Sequence, residues 1–366
     1  MTRGIPWRNF DFLLLGAIVL ASSFGTAMIR SAVAGNEVLQ PLILRQIYFA
    51  ILGVVVIFTM GAVDYRYWLA LYRPIYFGIM VFLISLSSLG QVAFGAQRWF
   101  QVGVLFLQPT EFAKIVAIIV LARYFDKAQN DPRDLRWMFR GFMWAFGLII
   151  WILLQPNLSN VVVLSVIFVA MLWINGLGVK QVFLFAAIGI LLVVLAFPFL
   201  ETYQQARVIT FIFPDPNATY GATYNVRQAL IAVGSGGLFG KGYGHGSQTQ
   251  LRFLKVRHTD FIFSAASEEF GMLGGILIIL TLLFIVWRCI RAAQKARDVA
   301  GSMIAFGVAV LIFFQGAVNI GVNLNIVPVS GLPLPFISYG GSGLTALMLG
   351  IGLVQSVVMR HKPMEF

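Results

Sequence analysis

The sequence predicts an all-α polytopic membrane protein of roughly ten transmembrane helices, with a long extracytoplasmic loop between the seventh and the eighth. Three observations carry this. The 366 residues are 59% hydrophobic and 11% charged, where a soluble domain is nearer half apolar and a quarter charged. Apolar runs of ~20 residues, the length that crosses a hydrocarbon core, recur along the whole chain. Lys and Arg concentrate on alternate connections between those runs, which sets an orientation.

The runs cover 10–29, 46–63, 74–94, 107–124, 140–154, 158–175, 180–199, 261–287, 301–326 and 338–359. The first follows Arg3 and Arg8 and precedes Ala32-Val33-Ala34, which resembles a signal-peptide cleavage site. Phe10 to Ile29 is nevertheless longer than the apolar core of a signal peptide and long enough to span, so it reads as a retained helix. With residue 1 inside, the inner connections hold Arg66, Arg73, Arg123, Lys127, Arg133, Arg136, Arg140, Lys180, Arg288, Arg291, Lys295, Arg297, Arg360 and Lys362. The short outer ones hold Arg30, Arg45 and Arg98. Both termini are therefore expected in the cytoplasm, and residues 1–366 form a single integral membrane domain. The net charge of +12 is then loop Lys and Arg, not a nucleic-acid surface. Cys289 is the only cysteine, which excludes an intrachain disulfide and a cysteine metal cluster. His245, His258 and His361 show no HExxH spacing, which argues against a zinc enzyme.

Residues 200–260 break the charge pattern. This outer loop carries Arg207, Arg227, Lys241, Arg252, Lys255 and Arg257. Long loops translocate largely regardless of charge, so the orientation stands. The charges are either ordinary solvated groups or an electropositive surface for an anionic, membrane-held substrate. Gly234 to Gly246 is rich in glycine, but Ser235 and Gly242 occupy the places where a Walker loop needs Gly and Ser or Thr. What remains is a segment able to turn tightly and bring bare backbone close to a ligand.

Arg257 to Gly274 places Asp260, Glu268 and Glu269 at the entry of the eighth run. A carboxylate inside a bilayer costs several kcal/mol unless paired, protonated or facing water, so such a cluster points to a working site. At 1.5 Å per residue the two glutamates lie roughly 12–14 Å deeper than Asp260. At the fourth run, Gln108-Pro109-Thr110-Glu111-Phe112-Ala113-Lys114 puts Glu111 and Lys114 on one helix face. They are either a neutralised structural bridge or part of the same outer-half cavity, on which all these charges are expected to converge. Val327 to Ser342 carries Pro and Gly at a density that fixes non-helical backbone, either a re-entrant plug or a wall of the site.

Four segments, Gln108–Lys114, Gly234–Gly242, His258–Gly271 and Asn319–Ser342, resemble the SEDS family (shape, elongation, division, sporulation) in order and in position on the helices. Arg257 and Phe270 are closer to its rod-shape branch than to its division branch. One departure stands: Asn157 and Ser159 occupy positions where the family usually has Asp and Gly. The resemblance implies a peptidoglycan glycosyltransferase that polymerises lipid II into a nascent glycan strand at the outer face of the bacterial cytoplasmic (inner) membrane. It implies a class B penicillin-binding protein, a transpeptidase, as partner, and contact with membrane lipid. Asp260 would be the general base on the acceptor's 4-hydroxyl, with undecaprenyl pyrophosphate leaving. Arg45, Lys114 and Arg207, or a divalent ion such as Mg, would neutralise the leaving group. Glu111 would position Lys114 or the acceptor. Trp99 would stack on a sugar face or serve as an interfacial anchor. His258 would shift Asp260 or cap the helix. Lys241, Glu268 and Ser338 complete the substrate-binding set. The alternatives are a lipid II flippase, which needs a polar path through both leaflets, and a scaffold, which has no use for membrane carboxylates.

Overall fold

The computed structural model describes residues 7–361 except 90, 94, 95, 103, 104 and 216. Its helices are α1 (Phe12–Ala32), α2 (Pro41–Ala62), α3 (Tyr65–Ala70), α4 (Tyr72–Leu89), α5 (Pro109–Lys127), α6 (Leu135–Leu153) and α7 (Leu158–Ile174). They continue as α8 (Val179–Ala196), α9 (Thr202–Ile212), α10 (Gly221–Ser235), α11 (Ser247–Gln250), α12 (Ile262–Gln294), α13 (Val299–Asn323) and α14 (Gly341–Met359). Ten of these overlie the ten apolar runs. Among the described residues seven helices are long and apolar enough to cross a membrane, and α4 and α7 contribute shorter apolar stretches. Charges at Glu111, Lys114, Arg123, Asp126 and Lys127 set α5 apart.

Local chemistry starts the helices where the chain needs them. Asp11, Asp64, Asp134 and Asp298 each accept an N–H from the first turn of α1, α3, α6 and α13. Such a cap satisfies donors that a helix start leaves open. Pro41 and Pro109 occupy first-turn positions of α2 and α5, where no N–H is missed. The core forms around α5, α13 and α14. The apolar window of α14 is 83% buried and that of α13 61%, whereas α8 fully buries none of its residues and meets the core only through the partly buried Val182 and Phe185. At the end that holds the four aspartate caps, ion pairs lock distant segments: Arg288–Asp11 at 2.6 Å, Arg66–Asp298 at 3.0 Å and Arg360–Asp64 at 3.4 Å.

Three features depart from expectation. The connection before α5 is a small antiparallel sheet of β1 (Gln91–Ala93), β2 (Ala96–Val102) and β3 (Leu105–Leu107). The long loop 200–260 is about half helical, in α9, α10 and α11. The third departure is a break in the eighth apolar run. At Gly271, φ is 69° and ψ is −165°, and α12 is interrupted there. Only glycine takes that conformation without strain.

A break inside a membrane helix strands two carbonyls and two N–H groups, which hydrocarbon cannot satisfy. The glycine-rich segment after α10 supplies the missing partners. Lys241 N–H donates to Glu268 O at 3.0 Å and Gly242 N–H to Glu269 O at 2.9 Å. In return, Met272 N–H donates to Gly237 O at 2.8 Å and Leu273 N–H to Leu238 O at 3.2 Å. The approach is close enough to demand glycine: a Cβ at Gly240 would stand 2.1 Å from Glu269 O. Gly236 and Gly240 thus serve backbone-to-backbone docking against α12. Gly271→Ala combines a strained φ with a Cβ 2.4 Å from Leu238 O and Gly240 N. It is expected to cost about 1–3 kcal/mol or more, read as a lowered Tm in detergent. Gly16→Ala, whose Cβ meets nothing within 4 Å, is the neutral control.

Candidate active site

Asp260 lies in the turn before α12, and its backbone is held without using its carboxylate. Asn319 Nδ2 and Asn323 Nδ2 on α13 donate to Asp260 O at 3.1 and 2.9 Å. Asn323 Oδ1 accepts from Ser264 N–H at 3.0 Å and Ser264 Oγ at 2.7 Å. Phe261, at the cap position, offers no side-chain cap, so Asn323 caps α12 from the neighbouring helix. Ser338 Oγ donates to Thr259 O at 2.7 Å, and Tyr339 N–H donates to His258 O at 2.9 Å. Residues 258–260 are therefore clamped between the end of α13 and the segment leading into α14. That segment holds buried Phe336 at φ 64°, a left-handed conformation unusual for a bulky residue.

The electrostatics follow from this placement. Burial pushes the Asp260 carboxyl up to about 6, against the opposing pull of the Arg207 guanidinium and a hydrogen bond from Thr259. Burial, with Arg257 alongside, lowers His258, which favours a neutral imidazole. The His258 ring stands 6.1 Å from the Tyr339 ring, and Arg45 lies against the Tyr339 hydroxyl. Arg207 is itself held on Val329 O and Ser330 O, each at 3.4 Å, and packs 5.7 Å over the Tyr203 ring. α9 reaches this position because Tyr203 Oη and Gln204 Nε2 donate to Pro156 O at 2.7 and 3.0 Å.

Arg207 borders two cavities. One, of about 200 Å³, is also lined by Asn157, Ser159, Val318, Ser330 and Leu332. The other, of about 280 Å³, runs towards α10. Asp260 lines neither, but Asn319 Nδ2 bonds both Asp260 O and Leu332 O (2.8 Å), which places the carboxylate's turn behind the first cavity's wall. Asn157 Nδ2 is buried there and without a partner among the described residues.

The other predicted residues separate into two places. Lys114 Nζ meets Glu111 Oε2 at 2.8 Å and donates to Asn160 Oδ1 at 3.3 Å, in the core at the start of α5. The side chains of Lys114 and Glu111 are 1% and 6% exposed, so this is a fully desolvated pair. Glu268 and Glu269 do not converge with Asp260. Glu268 accepts five hydrogen bonds, from Lys241 Nζ, Ser247 Oγ, Gln248 N–H, Thr249 N–H and Thr249 Oγ. Glu269 accepts from Ser31 Oγ on α1. The break at Gly271 is the reason, because it admits the 236–250 segment and its donors to this side of α12. Lys241 and Glu268 hold that segment down, with Lys241 Nζ also on Ser235 Oγ and Ser247 Oγ, both at 2.8 Å. Trp99 sits on β2 opposite Gln91, and no bond or ring contact among the described residues links it to Asp260. Asn319 and Asn323, which carry the Asp260 turn, escaped the sequence reading as residues with a role. Their signal was a polar stripe at i, i+4 spacing, Gln315, Asn319 and Asn323, on an otherwise apolar span. Among the described residues no three His, Cys, Asp or Glu side chains come together to hold a metal.

A clamped, buried carboxylate beside Arg207 at one end of a polytopic helical bundle is the candidate site of this membrane protein. Residues 5–363 match the FtsW/RodA/SpoVE "Cell cycle protein" family model. The chain belongs to this family. It is 32% identical to peptidoglycan glycosyltransferase MrdB of Escherichia coli K12, over 94% of this chain and 92% of that protein. It is 36% identical to stage V sporulation protein E of Bacillus subtilis, over 86% of each. It is also similar to a chain in a structure described as the structural coordination of polymerization and crosslinking by a peptidoglycan synthase complex. There the TM-score is 0.81 and the identity 26%, covering 96% of this chain and 98% of that one. Thermus thermophilus RodA matches with a TM-score of 0.71 and 26% identity, over 96% and 97%.

Proposed function

We propose that this chain, a peptidoglycan glycosyltransferase, polymerises lipid II at the outer face of the bacterial cytoplasmic membrane, with both termini inside. Asp260 takes the proton of the acceptor's 4-hydroxyl, and that oxygen attacks C1 of the donor's MurNAc. The C1–O bond to the pyrophosphate breaks with inversion, and undecaprenyl pyrophosphate leaves with the bonding pair. Arg207 and Arg45 stand on the same face and offset the charge that develops on the leaving group. Ser338 and His258 position the turn that carries Asp260. A class B penicillin-binding protein is the partner that crosslinks the product.

The observation that carries this reading is the Asp260 turn: three backbone carbonyls are pinned, and the carboxylate is left beside Arg207 at a bundle end. At the other end Asp11, Asp64 and Asp298 are taken up as caps and in ion pairs, so none of these three carboxylates is left over for a transport path. The test is incubation of the purified chain and its partner with lipid II in detergent. Polymer is expected. No polymer, with lipid II crossing vesicle bilayers that contain the protein, would replace the enzyme by a flippase.

A further inference from the structure

The end of the bundle away from Asp260 carries a second charged cavity, of about 220 Å³, between α4, α5 and α6. Arg123 and Lys127, one turn apart on α5, line it together with Arg140 on α6 and Asp131 in the connection between those helices. Tyr72 and Trp144 form an aromatic wall, their rings meeting edge-on at 5.7 Å. Trp144 is fixed from behind by Tyr76, whose hydroxyl donates to Trp144 O at 3.1 Å. Lys127 Nζ stands 5.2 Å over the Tyr72 ring. Arg123 Nη1 pairs with Asp126 at 2.8 Å, while its Nε is buried without a partner among the described residues. Among the described residues neither Lys127 nor Arg140 lies within ion-pair distance of a carboxylate. With Arg123 paired to Asp126, Lys127 and Arg140 stand against one lining carboxylate, Asp131, and the cavity keeps an unmet positive charge.

The surroundings decide what meets it. Further along the same helices, α4 exposes Phe77 and Val81, and α6 exposes Met143 and Phe146. A cationic mouth with an aromatic rim therefore opens onto two apolar helix faces. That sequence of chemistry matches a phospholipid more closely than a free phosphate, which needs no apolar continuation. Tyr and Trp favour the interface, and basic pockets between helices take anionic head groups. Asp131 is then an acceptor for head-group hydroxyls, and it repels a second phosphate charge. We infer that this cavity binds the phosphodiester of an anionic glycerophospholipid of the phosphatidylglycerol type, with its acyl chains along the outer faces of α4 and α6.

The test is native mass spectrometry of the full chain in detergent with equimolar phosphatidylglycerol, phosphatidylethanolamine and phosphatidylcholine. One phosphatidylglycerol is expected to stay bound under activation that strips the other two. Lys127→Gln/Arg140→Gln removes two exposed cations and is expected to weaken retention about 30-fold, since each interfacial cation is worth about a fivefold change. Arg291→Gln/Lys295→Gln removes two cations from the same end outside the cavity and is expected to retain the lipid. Equal loss in both double variants would reduce the effect to bulk surface charge and overturn the assignment. Equal retention of phosphatidylethanolamine would overturn the head-group choice. Displacement of the lipid by excess inorganic phosphate would reassign the cavity to a soluble phosphate. None of these variants touches the Asp260 site, so polymerisation in detergent remains the independent check on the proposed function.

Discussion

Asp260→Asn is expected to abolish polymerisation, with a fall of about 10²–10⁴-fold for loss of a general base. The variant is informative because the fold does not depend on the group removed. Asn319 and Asn323 bond the Asp260 carbonyl, and Ser338 and Tyr339 bond the carbonyls of Thr259 and His258. Arg207 keeps its contacts to Val329 and Ser330 carbonyls. Thermal unfolding of the variant should therefore stay at or above the wild-type Tm. The pH dependence follows from burial, which raises the Asp260 carboxyl to about 6. A base must be deprotonated, so wild-type activity should rise through pH 6 and level above it. The linkage runs the other way. A carboxyl raised in the folded state stabilises below its ordinary value and loses that contribution as pH climbs through 6. The Asn variant has no such loss, so its stability should gain on wild type above pH 6. Equal polymer from both proteins would remove Asp260 as the base.

What the sequence made legible, and what it hid, divides along physical lines. Apolar runs and Lys/Arg placement report side-chain transfer to lipid, and the ten long helices lie on those runs. Asp260 stood out because a carboxylate at a span's entry is costly. The break at Gly271 did not, because hydropathy sums side chains and is blind to a single φ/ψ pair. Its signal lay in two distant places, Gly271 itself and the glycines at 236–242, and only their contact gives either a meaning. The same contact gives Glu268 partners that helical spacing could not supply: its five donors arrive from 241–249. Residues 200–260 read as loop because Gly and polar residues dominate there. Yet Gln204, whose side chain accepts from Glu201 N–H at 3.1 Å, is a helix-start signal visible in the spacing.

Lys114→Met is expected to be the most destabilising single change at the core, and Glu111→Gln/Lys114→Met to restore most of what it loses. Removing one partner leaves the other as an uncompensated buried charge, at a cost of about 3–5 kcal/mol. Removing both leaves an apolar side chain and a neutral amide in the same volume, which is often neutral or better. The pair is 1% and 6% exposed, so solvent does not soften this contrast. Thermal unfolding of the two variants in one detergent measures it. The double variant is then the useful reagent, because stability alone gives no reason to keep Glu111, Lys114 and Asn160 together in a membrane core. An ammonium has three donors, and two acceptors are recorded for Lys114, Glu111 Oε2 and Asn160 Oδ1. Among the described residues no acceptor meets the third donor, and with the side chain 1% exposed it is the Glu111 and Asn160 contacts, not open solvent, that set where it points. The folded double variant is accordingly expected to lose polymerisation while keeping its Tm. Polymer at the wild-type rate would instead make the pair a structural bridge and leave Arg207 and Arg45 as the cations that face the leaving group.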